Sequence, residues 1–171
     1  MTRRDAYEAA AQVLQRYGIY EIPVPVEQIA LNEGVQLVRQ RFEGDQSGFM
    51  YRHDGHKIIG INSTHSRRRQ RFTIAHEIGH LELHQQDLIV DRAINYRDRT
   101  SALGIDQAEI DANAFAASLL MPADLVLQAV KSATGDPSLT TRERLVSHLA
   151  QLFDVSAEAM SYRLINLGIY S

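Results

Sequence analysis

Apolar residues recur at intervals of three and four along most of the chain, the spacing that places side chains on one face of a helix. Tyr7, Ala10, Val13 and Leu14 show it first, and Gly18 lies where that helix is expected to end. The same pattern predicts helices over residues 5–17, 25–34, 64–84, 106–121, 122–131, 141–153 and 156–167. Helices are therefore expected to form most of the fold.

Three shorter stretches carry the β-branched, aromatic and aliphatic residues that favour strands. They cover residues 35–42, 48–52 and 57–62. Asp54-Gly55, between the second and third stretches, is typical of a two-residue hairpin turn. Strands confined to one part of a mainly helical chain predict an α+β fold.

Two polar stretches interrupt the helical pattern. Residues 85–105 are long for a connection inside a compact domain, and segments of that kind more often have a function than not. Residues 132–138, with Gly135 and Pro137, are the best linker candidate. We expect a single compact domain, with a core at residues 1–131 and a helical hairpin at residues 139–171 packed on it.

The composition restricts the available chemistry. Hydrophobic residues make up 44% of the chain and charged residues 23%, as in globular proteins. Cysteine is absent, which leaves histidine and carboxylate as the strong metal ligands. The net charge of -3 argues against direct nucleic-acid binding. The sequence shows no signal-like N-terminus and no apolar run of membrane-spanning length, so a cytoplasmic protein without a membrane partner is expected.

The helix predicted at residues 64–84 contains the H-E-x-x-H motif His76-Glu77-Ile78-Gly79-His80. Residues four apart share a helix face, so both imidazoles can bind one ion while Glu77 approaches a water on that ion. Roughly 0.02 such matches are expected by chance in a chain of this composition, so the motif is specific. The alternative is a pair of hydrogen-bonded core histidines. Burying two imidazoles and a carboxylate costs several kcal/mol, which a divalent cation would offset.

A third ligand has to come from another element, and the next predicted helix offers Glu109 and Asp111. These two residues flank the apolar face of that helix on opposite sides, so periodicity alone does not choose between them. Glu109 is favoured because it shares its edge with Asn113, four residues later. A capping box with Asp106 is the other explanation for Glu109.

His84 extends the row of histidines by another four residues. It would lie about 12 Å from His76 along a straight helix, which is too far for both to bind one ion. An astacin-like pattern would need a glycine turn and a later histidine, and residues 81–84 provide neither. A structural role for His84, or a supporting one beside a ligand, is therefore favoured.

Two segments resemble the ImmA/IrrE family of metallopeptidases: residues 71–84, RFTIAHEIGHLELH, and residues 109–122, EIDANAFAASLLMP. The resemblance extends over nearly the whole chain, including the N-terminal helix, Pro23-Val24-Pro25-Val26, Ile61-Asn62, Arg97-Asp98 and the tail from Phe153 to Gly168. It implies a zincin-like zinc peptidase, with helices packed around a three-stranded antiparallel sheet, that cleaves a partner transcriptional repressor. By the family pattern, His76, His80 and Glu109 match the metal ligands and Glu77 matches the catalytic glutamate.

These residues predict peptide hydrolysis by metal-activated water. Three ligands leave the fourth position of Zn²⁺ to water, whose proton Glu77 takes and passes to the leaving amine. A further oxyanion donor is expected among Tyr51, Tyr96 and His148, which the sequence does not rank. The predicted strand at residues 57–62 precedes the zinc helix and is a candidate edge for pairing with an extended substrate.

Two other features bear on rival functions. The cluster Arg67, Arg68, Arg69 and Arg71 favours a solvated helix start or a docking surface for an acidic partner over nucleic-acid contact. Residues 149–160 resemble a helix-turn-helix, but residues 141–171 carry no net charge, which favours a structural helix pair. The rivals are a DNA-binding regulator and a toxin–antitoxin or immunity component that binds its partner without cleavage.

Overall fold

The computed structural model describes residues 3–44, 46–92 and 107–170 of the chain. These ranges contain seven α-helices, each of which the hydrophobic pattern predicts to within three residues at either end. The helices are α1 (Arg3–Arg16), α2 (Val26–Asn32), α3 (Arg67–Leu83), α4 (Gln107–Leu120), α5 (Ala123–Ala133), α6 (Arg142–Phe153) and α7 (Ala157–Asn166). The α+β class is therefore confirmed.

The described residues form one sheet of four strands in the order β1-β3-β2-β4. The strands are β1 (Val35–Gln40), β2 (Gln46–His53), β3 (His56–Asn62) and β4 (Leu88–Arg92). β2 and β3 form the predicted hairpin, and both turn residues have positive φ, 47° at Asp54 and 79° at Gly55. That conformation matches the twist of the two strands.

The expectation of a three-stranded antiparallel sheet is wrong in two respects. β1 runs parallel to β3, because the preceding α2 packs against both β1 and α3 and brings β1 to the far side of the hairpin. β4 adds a fourth strand, antiparallel to β2, from within the polar stretch 85–105. β3 is consequently an internal strand, so the proposed substrate edge at residues 57–62 is also wrong.

One face of the sheet packs against α3. Side chains alternate along β2, so Gly48, Met50 and Arg52 face α3, while Phe49 and Tyr51 face the opposite side. Met50 is fully buried between the sheet and the helices. The sheet therefore encloses one side of the helix that carries the H-E-x-x-H motif.

α4 crosses α3 at Gly79, where the two helices come close together. A Cβ atom at Gly79 would lie 3.1 Å from Phe115 Cδ1 and 3.2 Å from Ala112 Cα. A larger side chain would force the helices apart. The glycine thus sets the distance between the motif on α3 and the acidic residues at the start of α4.

Two buried arginines join the C-terminal helices to the rest of the fold. Arg71 of α3 donates to the carbonyl oxygens of Asp154 (3.2 Å) and Val24 (2.9 Å), and its Nε lies 3.4 Å from the Asp154 carboxylate. Arg163 of α7 donates to the carbonyl oxygen of Met121 at 2.9 Å. Both contacts tie the predicted helical hairpin to the predicted core.

Candidate metal centre

Three of the candidate site residues lie in the middle of α3, where the helix is enclosed. His76 is 3% exposed, and Glu77 and His80 are fully buried. The imidazole rings of His76 and His80 lie one helical turn apart, and their Nε2 atoms are 3.0 Å from each other. Both rings therefore direct Nε2 toward one point beside the helix.

Glu109 of α4 completes the cluster. Its Oε2 lies 3.2 Å from His76 Nε2, and its Oε1 lies 3.3 Å from His80 Nε2. Burial alone would raise the pKa of the Glu109 carboxyl, but hydrogen bonds and charge from the two histidines outweigh burial and hold that pKa well below its usual range. The carboxylate is therefore ionised at neutral pH, as a metal ligand has to be.

The donor set fits a tetrahedral zinc ion. Two ligand atoms about 2.1 Å from such an ion lie about 3.4 Å apart, close to the separations of 3.0, 3.2 and 3.3 Å in the cluster. Catalytic zinc sites have three protein ligands and one open position, whereas structural sites have four. Within the described part of the chain, His76, His80 and Glu109 form the one group of three such side chains close enough to share an ion.

Asp111, the alternative third ligand, is directed elsewhere. It is 1% exposed, and its Oδ1 accepts a hydrogen bond from Gln107 Nε2 at 2.9 Å. Side chains two positions apart on a helix point about 200° apart, so Asp111 and Glu109 do not reach the same place. The geometry favours Glu109, while the alternative capping partner, Asp106, lies outside the described residues.

The far nitrogen of each imidazole also has a partner. His84 Nδ1 lies 3.0 Å from His80 Nδ1, and Asn113 Oδ1 lies 3.1 Å from His76 Nδ1. His84 therefore lies behind His80 and not at the point where the ligand atoms converge. In the sequence, Asn113 is notable only because it follows Glu109 by four residues and shares a helix edge with it. That spacing is the signal that could have identified Asn113 as a contact of the metal cluster.

Glu77 lies against β2, at a place that only glycine can occupy. A Cβ atom at Gly48 would be 2.5 Å from Thr73 Cγ2 and 3.1 Å from Glu77 Oε1. The missing side chain lets β2 approach α3 and enclose the Glu77 carboxylate. The expected general base is thus held between a helix and a strand, directly after His76 in the sequence.

The structure does not bring the expected oxyanion donors to the cluster where it describes them. Tyr51 lies on the face of β2 that points away from α3, so its expected role is wrong. His148 lies on α6, within electrostatic range of Asp136 and outside the metal-ligand group. Tyr96 lies outside the described residues.

The arginine cluster at the start of α3 mainly stabilises the fold. Arg67 and Arg68 lie 3.1 and 3.4 Å from the Asp154 carboxylate, which Arg71 also contacts. Of these three arginines, Arg67 alone keeps most of its side chain exposed, at 80%. Arg69, the fourth member of the cluster, is also exposed and donates to Ser47 Oγ at 3.0 Å. Arg67, Arg68 and Arg71 therefore connect α3 to the tail, and Arg67 and Arg69 are the exposed members of the cluster.

α7 lacks the basic surface that a helix-turn-helix interpretation of the tail requires. Arg163 is the one basic residue in that helix. It is 6% exposed, and its guanidinium binds Met121 inside the protein. A recognition helix needs exposed donors for bases and phosphates, so the arrangement favours a structural helix pair.

The site has two imidazoles four residues apart on one helix, a glutamate directly after the first, and a carboxylate from a second helix. These features define the class of H-E-x-x-H metallopeptidases. Sequence comparison leads to the same class. Residues 27–165 match the peptidase family described as the IrrE N-terminal-like domain. The match covers most of the sequence, so the chain belongs to this family, and the resemblance to ImmA/IrrE proteins is confirmed.

Curated relatives include two radiation response metalloproteases named IrrE. The chain is 40% identical over 113 residues to the protein from Deinococcus deserti and 34% identical over 113 residues to that from Deinococcus radiodurans. These matches cover 64% of this chain but 36% and 31% of the relatives, so the chain spans about a third of their length. It is also 28% identical to an uncharacterized immunity region protein 2 of Bacillus phage phi105, over 80% of this chain and 83% of that protein.

A solved structure shares the fold. A transcriptional regulator from Mycobacterium tuberculosis superposes with a TM-score of 0.58 at 17% identity, over 94% of this chain and 46% of the other. Within the described residues, no single helix combines the length and apolar character needed to cross a membrane. α4 and α5 meet that test by length and composition only as a pair, bent by 49°.

Proposed function

We propose that the chain is a zinc-dependent endopeptidase that cleaves a helix-turn-helix transcriptional repressor in the cytoplasm. The observation that carries the proposal is the convergence of His76, His80 and Glu109, with the buried Glu77 directly after His76 on the same helix. The metalloprotease relatives support the reaction class. The choice of a repressor as the target rests on the ImmA/IrrE resemblance.

Each site residue has a distinct role in the proposed reaction. His76, His80 and Glu109 would hold Zn²⁺, and their three atoms leave one position for the reacting groups. When bound, this ion supplies a Lewis acid that polarises the scissile carbonyl and activates water at neutral pH. Glu77 accepts the proton of the attacking water and delivers it to the leaving amine. The close approach of β2 at Gly48 encloses this carboxylate and excludes bulk solvent from it.

We assign the binding of an extended substrate to β4, which lies beside β2 and forms the edge of the sheet among the described residues. β2 carries Gly48, which lies against Glu77, so the edge runs close to the expected base. Pairing with an edge strand supplies affinity through the main chain. Leu88 and Val90 are 57% and 45% exposed and can contact substrate side chains. Val90→Ser should raise KM for the repressor and leave zinc affinity unchanged; an unchanged KM would contradict this assignment.

Glu77→Gln tests the proposed reaction. The zinc-loaded chain is incubated with a purified helix-turn-helix repressor of its own organism and, separately, with unfolded casein. The parent should cut the repressor at one or a few bonds. Glu77→Gln should keep the metal and the fold but lose cleavage, because the amide is similar in size yet cannot accept the proton. Glu158→Gln, at an exposed position on α7, is the matched control and should retain activity.

Two outcomes would contradict the proposal in different ways. Cleavage at close to the parental rate by Glu77→Gln would show that Glu77 is not the base. Rapid digestion of casein with the repressor left intact would show that the substrate assignment is wrong.

Binding without cleavage is the second candidate function. The similarity to a phage protein named an uncharacterized immunity region protein, over 83% of that protein, motivates this second candidate. The same incubation separates the two candidates. A zinc-loaded parent chain that binds the repressor stoichiometrically and leaves it intact would support this second function and exclude the first.

A further inference from the structure

Each histidine of the metal cluster presents two nitrogens to different partners. Nε2 of His76 and of His80 faces Glu109, whereas Nδ1 of each ring faces away from the cluster. A neutral imidazole carries its proton on one nitrogen and a lone pair on the other. A group that fixes the proton on Nδ1 therefore places the lone pair, which a metal needs, on Nε2.

Asn113 fixes that proton for His76. Its Oδ1 lies 3.1 Å from His76 Nδ1, and an amide oxygen can only accept a hydrogen bond. If the amide were turned so that Nδ2 faced the ring, Nδ1 would have to be the acceptor and the proton would lie on Nε2. Only the orientation with the oxygen toward the ring is compatible with metal binding by Nε2.

His84 has the corresponding position behind His80. The two Nδ1 atoms are 3.0 Å apart, so one of them donates and the other accepts. Metal binding by His80 Nε2 requires His80 to be the donor and His84 the acceptor, with the proton of His84 on Nε2. Arg52 of β2 donates to the carbonyl oxygens of Leu81 (3.2 Å) and His84 (2.8 Å), which fixes the end of α3 that carries this acceptor.

We propose that Asn113 and His84 are positioning residues that select the metal-binding tautomer of His76 and His80. Each follows a cluster residue by four positions: Asn113 follows Glu109 on α4, and His84, the extended C-cap residue of α3, follows His80. On each helix, the residue four positions after a cluster residue therefore contacts the back of an imidazole. This proposal rests on the metal-binding half of the proposed function and is independent of the substrate.

The first test measures zinc affinity by competition with a chromophoric chelator. Asn113→Leu and His84→Leu remove the acceptors and should each weaken zinc binding about 10- to 100-fold. Asn113→Asp and His84→Asn keep an oxygen acceptor at nearly the same place and should bind zinc within about threefold of the parent. Asn166→Leu and His56→Leu make the same changes at exposed positions and should not change affinity.

The second test reads the tautomers directly. Long-range proton–nitrogen NMR of the metal-free protein at constant pH measures how the proton of His76 and of His80 is divided between Nδ1, where Asn113 or His84 accepts it, and Nε2, where Glu109 competes for it. In Asn113→Leu the signal of His76 should shift toward the form with the proton on Nε2, and His80 should be unchanged. A role limited to packing would not produce this selective shift.

The outcomes separate this inference from the proposed function. If the parent binds zinc and the leucine variants bind it equally well, the positioning role is wrong and the metal site stands. Loss of zinc that the aspartate and asparagine variants fail to restore would also overturn it, since packing would then be the cause. If the parent binds no zinc, the proposed function fails, and the tautomers of the metal-free protein still decide this inference.

Discussion

Gly79→Ala tests whether the close crossing of α3 and α4 places the third ligand. The added Cβ would meet Phe115 Cδ1 at 3.1 Å and both Phe115 Cβ and Ala112 Cα at 3.2 Å. Carbon atoms in favourable contact are about 3.5 Å apart or more, so the helices have to separate by about 0.3–0.4 Å. Ala112 Cα belongs to the backbone of α4, and rotation of a side chain cannot supply this space.

The separation acts on Glu109, which precedes Ala112 by one turn of α4. Metal–ligand distances vary by only about 0.2 Å, so the shift strains the bond from Glu109. We expect Gly79→Ala to lower zinc affinity about tenfold, or about 1.4 kcal/mol. The stability of the metal-free chain should change less, because alanine favours the helix by about 1 kcal/mol and overpacking costs about 1–3 kcal/mol.

Zinc affinity is measured by chelator competition, and the free energy of unfolding by urea titration of the metal-free chain. Gly79→Val brings two further carbon atoms to the same crossing and should weaken zinc binding more than Gly79→Ala does. A Gly79→Ala chain that gains about 1 kcal/mol of stability and binds zinc as tightly as the parent would refute the reasoning.

Three further predictions concern pH, the tail and the rival function. Glu109→Gln should weaken zinc binding by the same factor at pH 7 and at pH 5, because hydrogen bonds and charge from the two histidines outweigh burial, hold the pKa of Glu109 well below its usual range and keep its carboxylate ionised. A factor that shrinks toward pH 5 in paired zinc titrations would contradict this. Asp154→Asn should reduce the free energy of unfolding by about 2–3 kcal/mol in urea, because it leaves buried Arg71 without its carboxylate while asparagine tolerates the φ of 51° at this position. A loss below about 0.5 kcal/mol would count against the connection. Arg163→Ala should cost about 1–3 kcal/mol of stability by leaving the Met121 carbonyl unpaired, with no duplex-DNA binding in either chain. Salt-sensitive, sequence-specific DNA binding that Arg163→Ala abolishes would revive the regulator hypothesis.

Local patterns in the sequence predicted most of the secondary structure. The helices follow from apolar spacing, and the β2–β3 turn follows from Asp54-Gly55, which tolerates positive φ at both positions. β4 was missed because its three apolar residues, 88–90, are too few to stand out in a polar stretch. The parallel pairing of β1 was missed because it depends on how α2 packs, which no local pattern records.

The candidate site shows the same division between local and distant information. His76, Glu77 and His80 share one helix, so their spacing alone indicated their relationship. Glu109 and Asp111 could not be separated by periodicity, because the choice depends on the side of α4 that meets Gly79. The position of Tyr51 depended on the pleat of β2 relative to α3, which is likewise a property of the assembled fold.

The ligand set joins two helices that are far apart in the sequence, with His80 and Glu109 about 30 residues from each other. An ion bound to both acts as a removable cross-link. A permanent link across such a loop would destabilise the unfolded chain by about 3–4 kcal/mol of lost entropy. A metal that binds only the folded form adds stability in proportion to the logarithm of its free concentration. Under the zinc assignment, scarcity of the metal would therefore expose the chain to unfolding and degradation, so that the amount of protein in a cell, as well as its activity, would follow the zinc supply.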